Sequence, residues 1–214
     1  MYKFIKIILF SFVIKPFVWI ALGLNIKRFT KLNNGPMIIA SNHNSHLDAL
    51  VIMSLFSNKN IAKVRPVAAA DYFCNHPLKK LFFTKIMGII PLDRHKKGDF
   101  DDCFNACKEA LNNGDIILVF PEGTRGKPEE MGRIRKGIHA LHTQVPDIPI
   151  IPIVTHGLGK SLPKGEALFV PFNCDIIIGR KLDREESTNH FTHQLQQAFQ
   201  YLLTFSITKH DANH

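Results

Sequence analysis

The sequence predicts an α/β fold, a mixed β-sheet covered by helices, with an apolar helical membrane anchor ahead of it. Three observations predict this. Short apolar runs such as Met37-Ile38-Ile39-Ala40 and Ile116-Ile117-Leu118-Val119-Phe120 follow or lead into turn residues, the pattern of strands buried on both faces. Segments with helical spacing separate them, so strands and helices alternate through the middle of the chain. The stretch from Ile5 to Leu24 is almost wholly apolar and is followed by a polar turn cluster, Asn33-Asn34-Gly35-Pro36.

The elements follow in order. No small-x-small cleavage site follows the first apolar run, which argues against a signal peptide. A spanning helix needs about 20 consecutive apolar residues, and Lys15-Pro16 interrupts this stretch. The favoured reading is a helix broken or kinked near Pro16 that lies in one leaflet. Lys3, Lys6 and Lys15 would then sit among lipid phosphates, with Phe12, Phe17 and Trp19 in the acyl region. A true span and a soluble hairpin packed on the core are the alternatives. Residues 1–32 are assigned to this anchor and 33–208 to the folded domain. Strands are expected at Met37–Ala40, Pro66–Ala70, Ile89–Leu92, Ile116–Phe120, Ile148–Val154, Ala167–Pro171 and Asp175–Ile178. Helices are expected at Asp48–Phe56, Pro77–Ile86, Phe100–Asn112 (ended by Asn113-Gly114) and Ile134–Thr143. Ser187 or Thr188 caps a last helix with Phe191, Leu195, Ala198, Leu202 and Phe205 at helical spacing. The tail after Ile207 is expected to be loose.

Composition narrows the partners. The 214 residues are 45% hydrophobic with a formal charge of +9, enough for one sizeable core and a bias toward an anionic partner. No acidic residue precedes Asp48, whereas Lys3, Lys6, Lys15, Lys27, Arg28 and Lys31 do. These cations alternate with apolar runs instead of forming a polar arm, so an anionic membrane surface fits better than nucleic acid. Cys74, Cys103, Cys107 and Cys174 have no zinc-like spacing and suit a reduced, cytosol-facing chain.

Four segments can carry chemistry. Ser41-Asn42-His43-Asn44-Ser45-His46-Leu47-Asp48 follows a buried strand, where α/β proteins open their ligand crevices. A carboxylate five residues after a histidine, across a turn into a helix, can fix the imidazole tautomer and leave the other nitrogen as a base. Taken alone, such a pair is more often structural. Phe120-Pro121-Glu122-Gly123-Thr124-Arg125 turns sharply after a core strand, and an arginine there suits bidentate phosphate binding. An ordinary loop ion pair is the plainer reading. Gly88-Ile89-Ile90-Pro91-Leu92-Asp93-Arg94 ends a third strand, again with an arginine. Ile150-Ile151-Pro152-Ile153-Val154 leads to Thr155-His156-Gly157 and reads as core, or as the lining of an acyl channel.

In this order the four segments resemble the glycerolipid acyltransferase family. Its Asn-His-x-x-x-x-Asp motif is matched by Asn42, His43 and Asp48, and its Asp-Arg motif by Gly88, Asp93 and Arg94. Its Phe-Pro-Glu-Gly-Thr-Arg motif is matched unchanged by Phe120 to Arg125, and its apolar-Pro-apolar strand around Pro152. Leu162-Pro163-Lys164-Gly165 extends the likeness, which runs from about residue 35 to 182. Gly126 departs from the serine of many relatives, and Ile134-Arg135-Lys136-Gly137 is a looser version of their aromatic-Lys-x-Gly run.

The resemblance implies direct acyl transfer by a domain spanning 33–208. His43 would take the proton of a lysophospholipid hydroxyl as it attacks a thioester, acyl-CoA or acyl-ACP (acyl carrier protein), with Asp48 orienting the imidazole. Arg94, Gly123, Thr124 and Arg125 would bind the acceptor, and Glu122 would order an arginine or meet a glycerol hydroxyl. The acceptor would be 1-acyl-glycerol-3-phosphate or a relative and the product phosphatidic acid, made at the cytoplasmic face of the cell membrane. No metal or bound cofactor is implied, and no serine nucleophile, since the chain has no Gly-x-Ser-x-Gly elbow. Two alternatives stay open: a metal-dependent hydrolase using His43, His46 and Asp48, and a non-catalytic lipid-binding protein.

Overall fold

A computed structural model describes residues 1–73, 76–92, 104–126, 129–161 and 172–211. Within them seven strands form one sheet: β1 (Gly23–Arg28), β2 (Met37–Ser41), β3 (Val64–Ala69), β4 (Ile90–Leu92), β5 (Ile116–Val119), β6 (Ile150–His156) and β7 (Asn173–Ile178). Their order is β1-β7-β6-β2-β5-β3-β4. Every neighbouring pair is parallel except β6 and β7. The helices are α1 (Tyr2–Ala21), α2 (Asp48–Ser54), α3 (Asn58–Ile61), α4 (Ala70–Phe73), α5 (Pro77–Leu81), α6 (Asn105–Asn112), α7 (Gly137–Gln144), α8 (Leu158–Ser161), α9 (Thr188–Leu203) and α10 (Ile207–Asp211). The mixed, helix-covered sheet is the fold expected from the sequence.

Every residue of β2, β5 and β6 is buried, which explains their unbroken apolar runs: side chains alternate between two covered faces. Ile39, Leu118, Ile153 and Ile176 face one core with Phe10, Val18 and Leu22 of the N-terminal region, Val51 to Met53 of α2 and Ile61 of α3. Ile38, Ile117, Val154 and Ile177 face the other with Cys107 and Leu111 of α6, Leu141 of α7, and Phe191, Leu195, Phe199 and Leu202 of α9. The Ser187 side chain caps α9 by accepting from His190 N–H.

The N-terminal region departs from expectation in three ways. First, Pro16 does not break α1. A π turn at Phe10–Ile14, closed by Lys15 N–H donating to Phe10 O, widens the helix just ahead of the ring and spares it the clash with an earlier carbonyl. Second, Lys6 and Lys15 point inward, not to lipid phosphates. Lys6 Nζ, 2% exposed, donates to Val64 O at 2.6 Å, and Lys15 Nζ donates to Phe56 O at 2.6 Å and to Asn58 Oδ1 at 2.8 Å. Burial, then the charge of Arg65, lowers the Lys6 ammonium from 10.5 to about 7. Third, residues 23–28, counted with the anchor, form edge strand β1 in register with β7.

The tail is also more fixed than expected. Ser206 Oγ (2.7 Å), Thr208 N–H (2.8 Å) and Thr208 Oγ1 (2.8 Å) all donate to Asp175 Oδ2, tying α10 to β7. The expected strand at 167–171, the start of the helix at 100–103, Cys74, Cys103, Asp93, Arg94 and the run 162–165 lie outside the described residues.

Candidate active site

Strands β2, β5 and β6 run parallel, with Ala40 beside Val119 and Ser41 beside Ile153. Their C-terminal ends therefore open onto one edge of the sheet, and the expected motifs of residues 42–48 and 120–125 meet there. Just past the last β2–β6 pair, the Asn42 side chain extends the ladder. Its Nδ2 donates to Thr155 O at 2.8 Å and its Oδ1 accepts from Thr155 N–H at 2.8 Å. An amide carries both donor and acceptor, so it stands in for one more peptide unit.

This clasp delivers His43 to the mouth of the edge. Asp48, fully buried at the start of α2, accepts at Oδ2 from His43 Nδ1 (2.8 Å), Asn44 N–H (2.7 Å) and Ser45 N–H (2.8 Å). Its Oδ1 accepts from Thr155 Oγ1 at 3.2 Å. A carboxylate only accepts, so Nδ1 carries the imidazole proton and Nε2 holds the lone pair. The His43 ring stacks on Phe120, with centroids 4.1 Å apart and planes 19° apart. The expected base and its orienting carboxylate are thus joined, and the base remains partly exposed at the edge.

Glu122 has a different job from the one expected. Its Oε1 accepts from His43 N–H at 2.9 Å and its Oε2 from Gly132 N–H at 2.7 Å. It is buried, and burial raises it above the usual carboxylate range against those two hydrogen bonds. Both carboxylate oxygens are engaged by backbone, so Glu122 locks the 42–48 loop to the turn. Gly123 lies at φ +76°, and a Cβ there would come within 2.9 Å of the Arg135 side chain, whose Nε donates to Glu122 O at 2.9 Å. The turn therefore needs glycine twice over, for its backbone angle and for room. Thr124 is exposed and Arg125 half-buried on the same turn. Partial burial, then the Arg125 charge, holds His46 below the ordinary imidazole range, so these two side chains share one electrostatic neighbourhood.

Asp48 spends both oxygens on four donors, and this weighs against its use as a metal ligand in the hydrolase alternative. Among the described residues, no group of three His, Cys, Asp or Glu side chains is disposed to hold a metal ion.

Two residues at the site escaped sequence reasoning. Thr155 read only as the end of an apolar strand. Glu129, at φ 60°, reaches across the edge: Oε1 accepts from Gly159 N–H at 2.8 Å, Oε2 accepts from Asn44 Nδ2 at 3.2 Å, and His156 Nε2 lies 3.7 Å from Oε2. Nothing in the local sequence signals Thr155, whose partners Asn42 and Asp48 lie 113 and 107 residues away.

The model of the Acyltransferase family matches residues 24–156. The chain is 31% identical over 61% of its length to the chloroplastic 1-acyl-sn-glycerol-3-phosphate acyltransferase BAT2 of Brassica napus, covering 36% of that protein. It is 29% identical over 74% of its length to the chloroplastic 1-acyl-sn-glycerol-3-phosphate acyltransferase LPAT1 of Arabidopsis thaliana, covering 43% of it. It is 30% identical over 50% of its length to the 1-acyl-sn-glycerol-3-phosphate acyltransferase of Helicobacter pylori, again covering 43%. The chain therefore spans less than half the length of these curated relatives. In fold it is similar to the crystal structure of the 1-acyl-sn-glycerophosphate acyltransferase PlsC of Thermotoga maritima, with a TM-score of 0.72, 18% identity, and coverage of 95% of this chain and 78% of that one. With its matched region running from β1 through β6 and its His43–Asp48 pair set at the end of β2, the chain belongs to the acyltransferase family.

Proposed function

We propose that the chain transfers a fatty acyl group from acyl-CoA or acyl-ACP to the free hydroxyl of 1-acyl-glycerol-3-phosphate or a related lysophospholipid, giving phosphatidic acid in phospholipid biosynthesis. One observation carries the reading: Asp48 holds His43 Nδ1–H at 2.8 Å, and Nε2 is left as a base at the partly exposed edge. The named relatives support the same acceptor.

In this reading the acceptor hydroxyl gives its proton to Nε2 as its oxygen bonds to the thioester carbonyl carbon. The tetrahedral intermediate then collapses, the C–S bond breaks, and the thiolate takes the proton from the imidazolium. Asp48 stabilises that imidazolium without itself being protonated. Arg125 binds the acceptor phosphate, and Arg94 joins it by the family likeness. Glu122 and Gly123 act through the shape of the loop. The thioester is a cosubstrate, and the reaction as written draws on no metal or bound cofactor.

The enzyme would work from the cytoplasmic face of the cell membrane. Helix α1 is 20 residues long and apolar enough to cross a bilayer. Its inward lysines, bonded to the carbonyls of Val64 and Phe56, favour a helix laid on the domain with one side toward lipid. The test is direct: purified protein is given labelled acyl-CoA or acyl-ACP with lysophosphatidic acid, and labelled phosphatidic acid and released thiol are measured together. Equimolar appearance of both is expected with at least one donor. Thiol release without phosphatidic acid would identify a thioester hydrolase instead.

A further inference from the structure

Helix α5 and the π turn that continues it, Phe82–Ile86, carry a feature that the anchor does not explain. Leu78 is 70% exposed, Leu81 45% and Phe82 40%. They recur at i, i+3 and i+4, so they share one side of the helix. Lys79, Lys80 and Lys85 are exposed around them, and no Asp or Glu occurs from Tyr72 to Leu92. Large exposed apolar side chains interspersed with lysines along one helix make a poor water-facing surface and a good one for anionic lipid.

The surface is continuous with α1. The π turn packs against α1, Phe83 joins the core beneath both, and two bonds stitch the ends together. Lys6 Nζ reaches Val64 O, and Arg65 Nε donates to Gly88 O at 2.9 Å. The outer side of α1 adds Phe4, Ile8, Phe12, Trp19 and Ile20, all exposed. The place of α5 in the topology gives this surface its purpose. Strand β3 ends on the edge that carries His43, and α5 follows it before the chain returns to pair Ile90 with Val67. The apolar start of α5 therefore stands at the end of the helix nearest the active-site edge.

We infer that α5 is a second bilayer-facing element, which seats the His43 edge on an anionic leaflet so that a lysophospholipid reaches it without leaving the lipid surface. The inference rests on the acyl-transfer reading for its second half only; lipid contact by α5 stands on exposure, charge and packing.

The test uses the full chain with Leu78→Ser, Leu81→Ser and Phe82→Ser combined, after unfolding curves show a native-like fold. Binding is measured to phosphatidylcholine vesicles with and without phosphatidylglycerol. Transfer is measured with a long-chain acceptor held in vesicles and with a short-chain, water-soluble one. The variant is expected to bind anionic vesicles at least about tenfold more weakly. It should lose vesicle-held turnover in proportion and keep turnover on the soluble acceptor within about twofold. Vesicle binding equal to that of the native protein overturns the inference. So does an equal loss on both acceptors with binding unchanged, which would put α5 in the site itself. A native protein that transfers to neither acceptor, while the variant still loses vesicle binding, sinks the acyl-transfer reading and leaves α5 as a lipid-facing helix.

Discussion

The edge that carries His43 and the outer surface of α1 and α5 are built on opposite rules. At the edge, three buried side chains spend themselves on hydrogen bonds: Asp48 has four donors, Asn42 exchanges two bonds with Thr155, and Glu122 holds two backbone N–H groups. On the outer surface, Phe12, Ile20 and Leu78 are left uncovered, although fully burying such a side chain is worth about 1.5–3 kcal/mol. The covering helices of the other face show what a water-facing exterior looks like in this molecule. Helix α9 turns Asn189, His193, Gln196, Gln197 and Gln200 outward. On the proposed reading, the difference would mean that chemistry and location are encoded separately. Substitutions at the edge should change turnover and spare vesicle binding, and those on the apolar surface should do the reverse.

The largest expected effect breaks the edge at Asp48. Asp48→Asn keeps the shape but can present an N–H to His43, favouring the wrong tautomer, and should lower kcat by about 10³–10⁴-fold. Vesicle binding should stay at the native level; a matching loss of binding would mean that edge and surface are not independent.

Next in size is Arg125→Ala. Losing a charge-assisted bond to phosphate, about 1.5–3 kcal/mol, should raise the acceptor KM by about 10–100-fold and leave the donor KM nearly unchanged. Lysine should restore only part, since it offers a point charge in place of a fork. Equal effects on acceptors with and without a phosphate would contradict the assignment.

Thr155→Val should cost about tenfold in kcat through the lost hydroxyl bond to Asp48, with both KM values little changed. Thr155→Ser should recover most of it. Failure of serine to rescue would mean that the methyl packing matters and the hydroxyl does not.

How much of this was legible in the sequence depends on how far apart the partners lie. Strands β2, β5 and β6 and helix α9 announce themselves through local apolar pattern and a cap, and His43 and Asp48 are only five residues apart. Strand β1 is an edge strand with only Leu24 and Ile26 half-buried, so its pattern merges with the basic stretch around it. The roles of Lys6, Lys15 and Thr155 are set by partners 58, 41 and 107 residues away. A lysine in an apolar helix reads as a lipid-phosphate contact until the carbonyl it reaches is known. The Phe-Pro-Glu-Gly run singles out Glu122 but not its two backbone partners, which become apparent only when the loops meet.

The smallest effect sharpens the boundary between surface and core. Lys6 is held at about 7 in the folded chain against 10.5 ordinarily, first by burial and then by Arg65. Between those values the unfolded chain binds more protons than the folded one, so stability from this residue rises with pH across that window. Lys6→Met should flatten that rise in denaturant titrations at its two ends. It should not alter the salt dependence of vesicle binding, because the ammonium faces Val64 O and not lipid. A variant with the native pH slope would show that Lys6 is not the buried group described.

The most direct test of direct transfer through His43 combines one substitution with one trapping step. Native protein and His43→Ala are incubated with labelled thioester, without and then with a soluble lysophosphatidic acid. The native protein should hold no covalent label before the acceptor is added and should pass the label to phosphatidic acid afterwards. His43→Ala should stay folded and fall by at least about 10²-fold, the lower end of what general-base assistance contributes. Label bound to the protein before acceptor arrives, or His43→Ala keeping more than about a tenth of native turnover where that assistance is removed, would contradict the account.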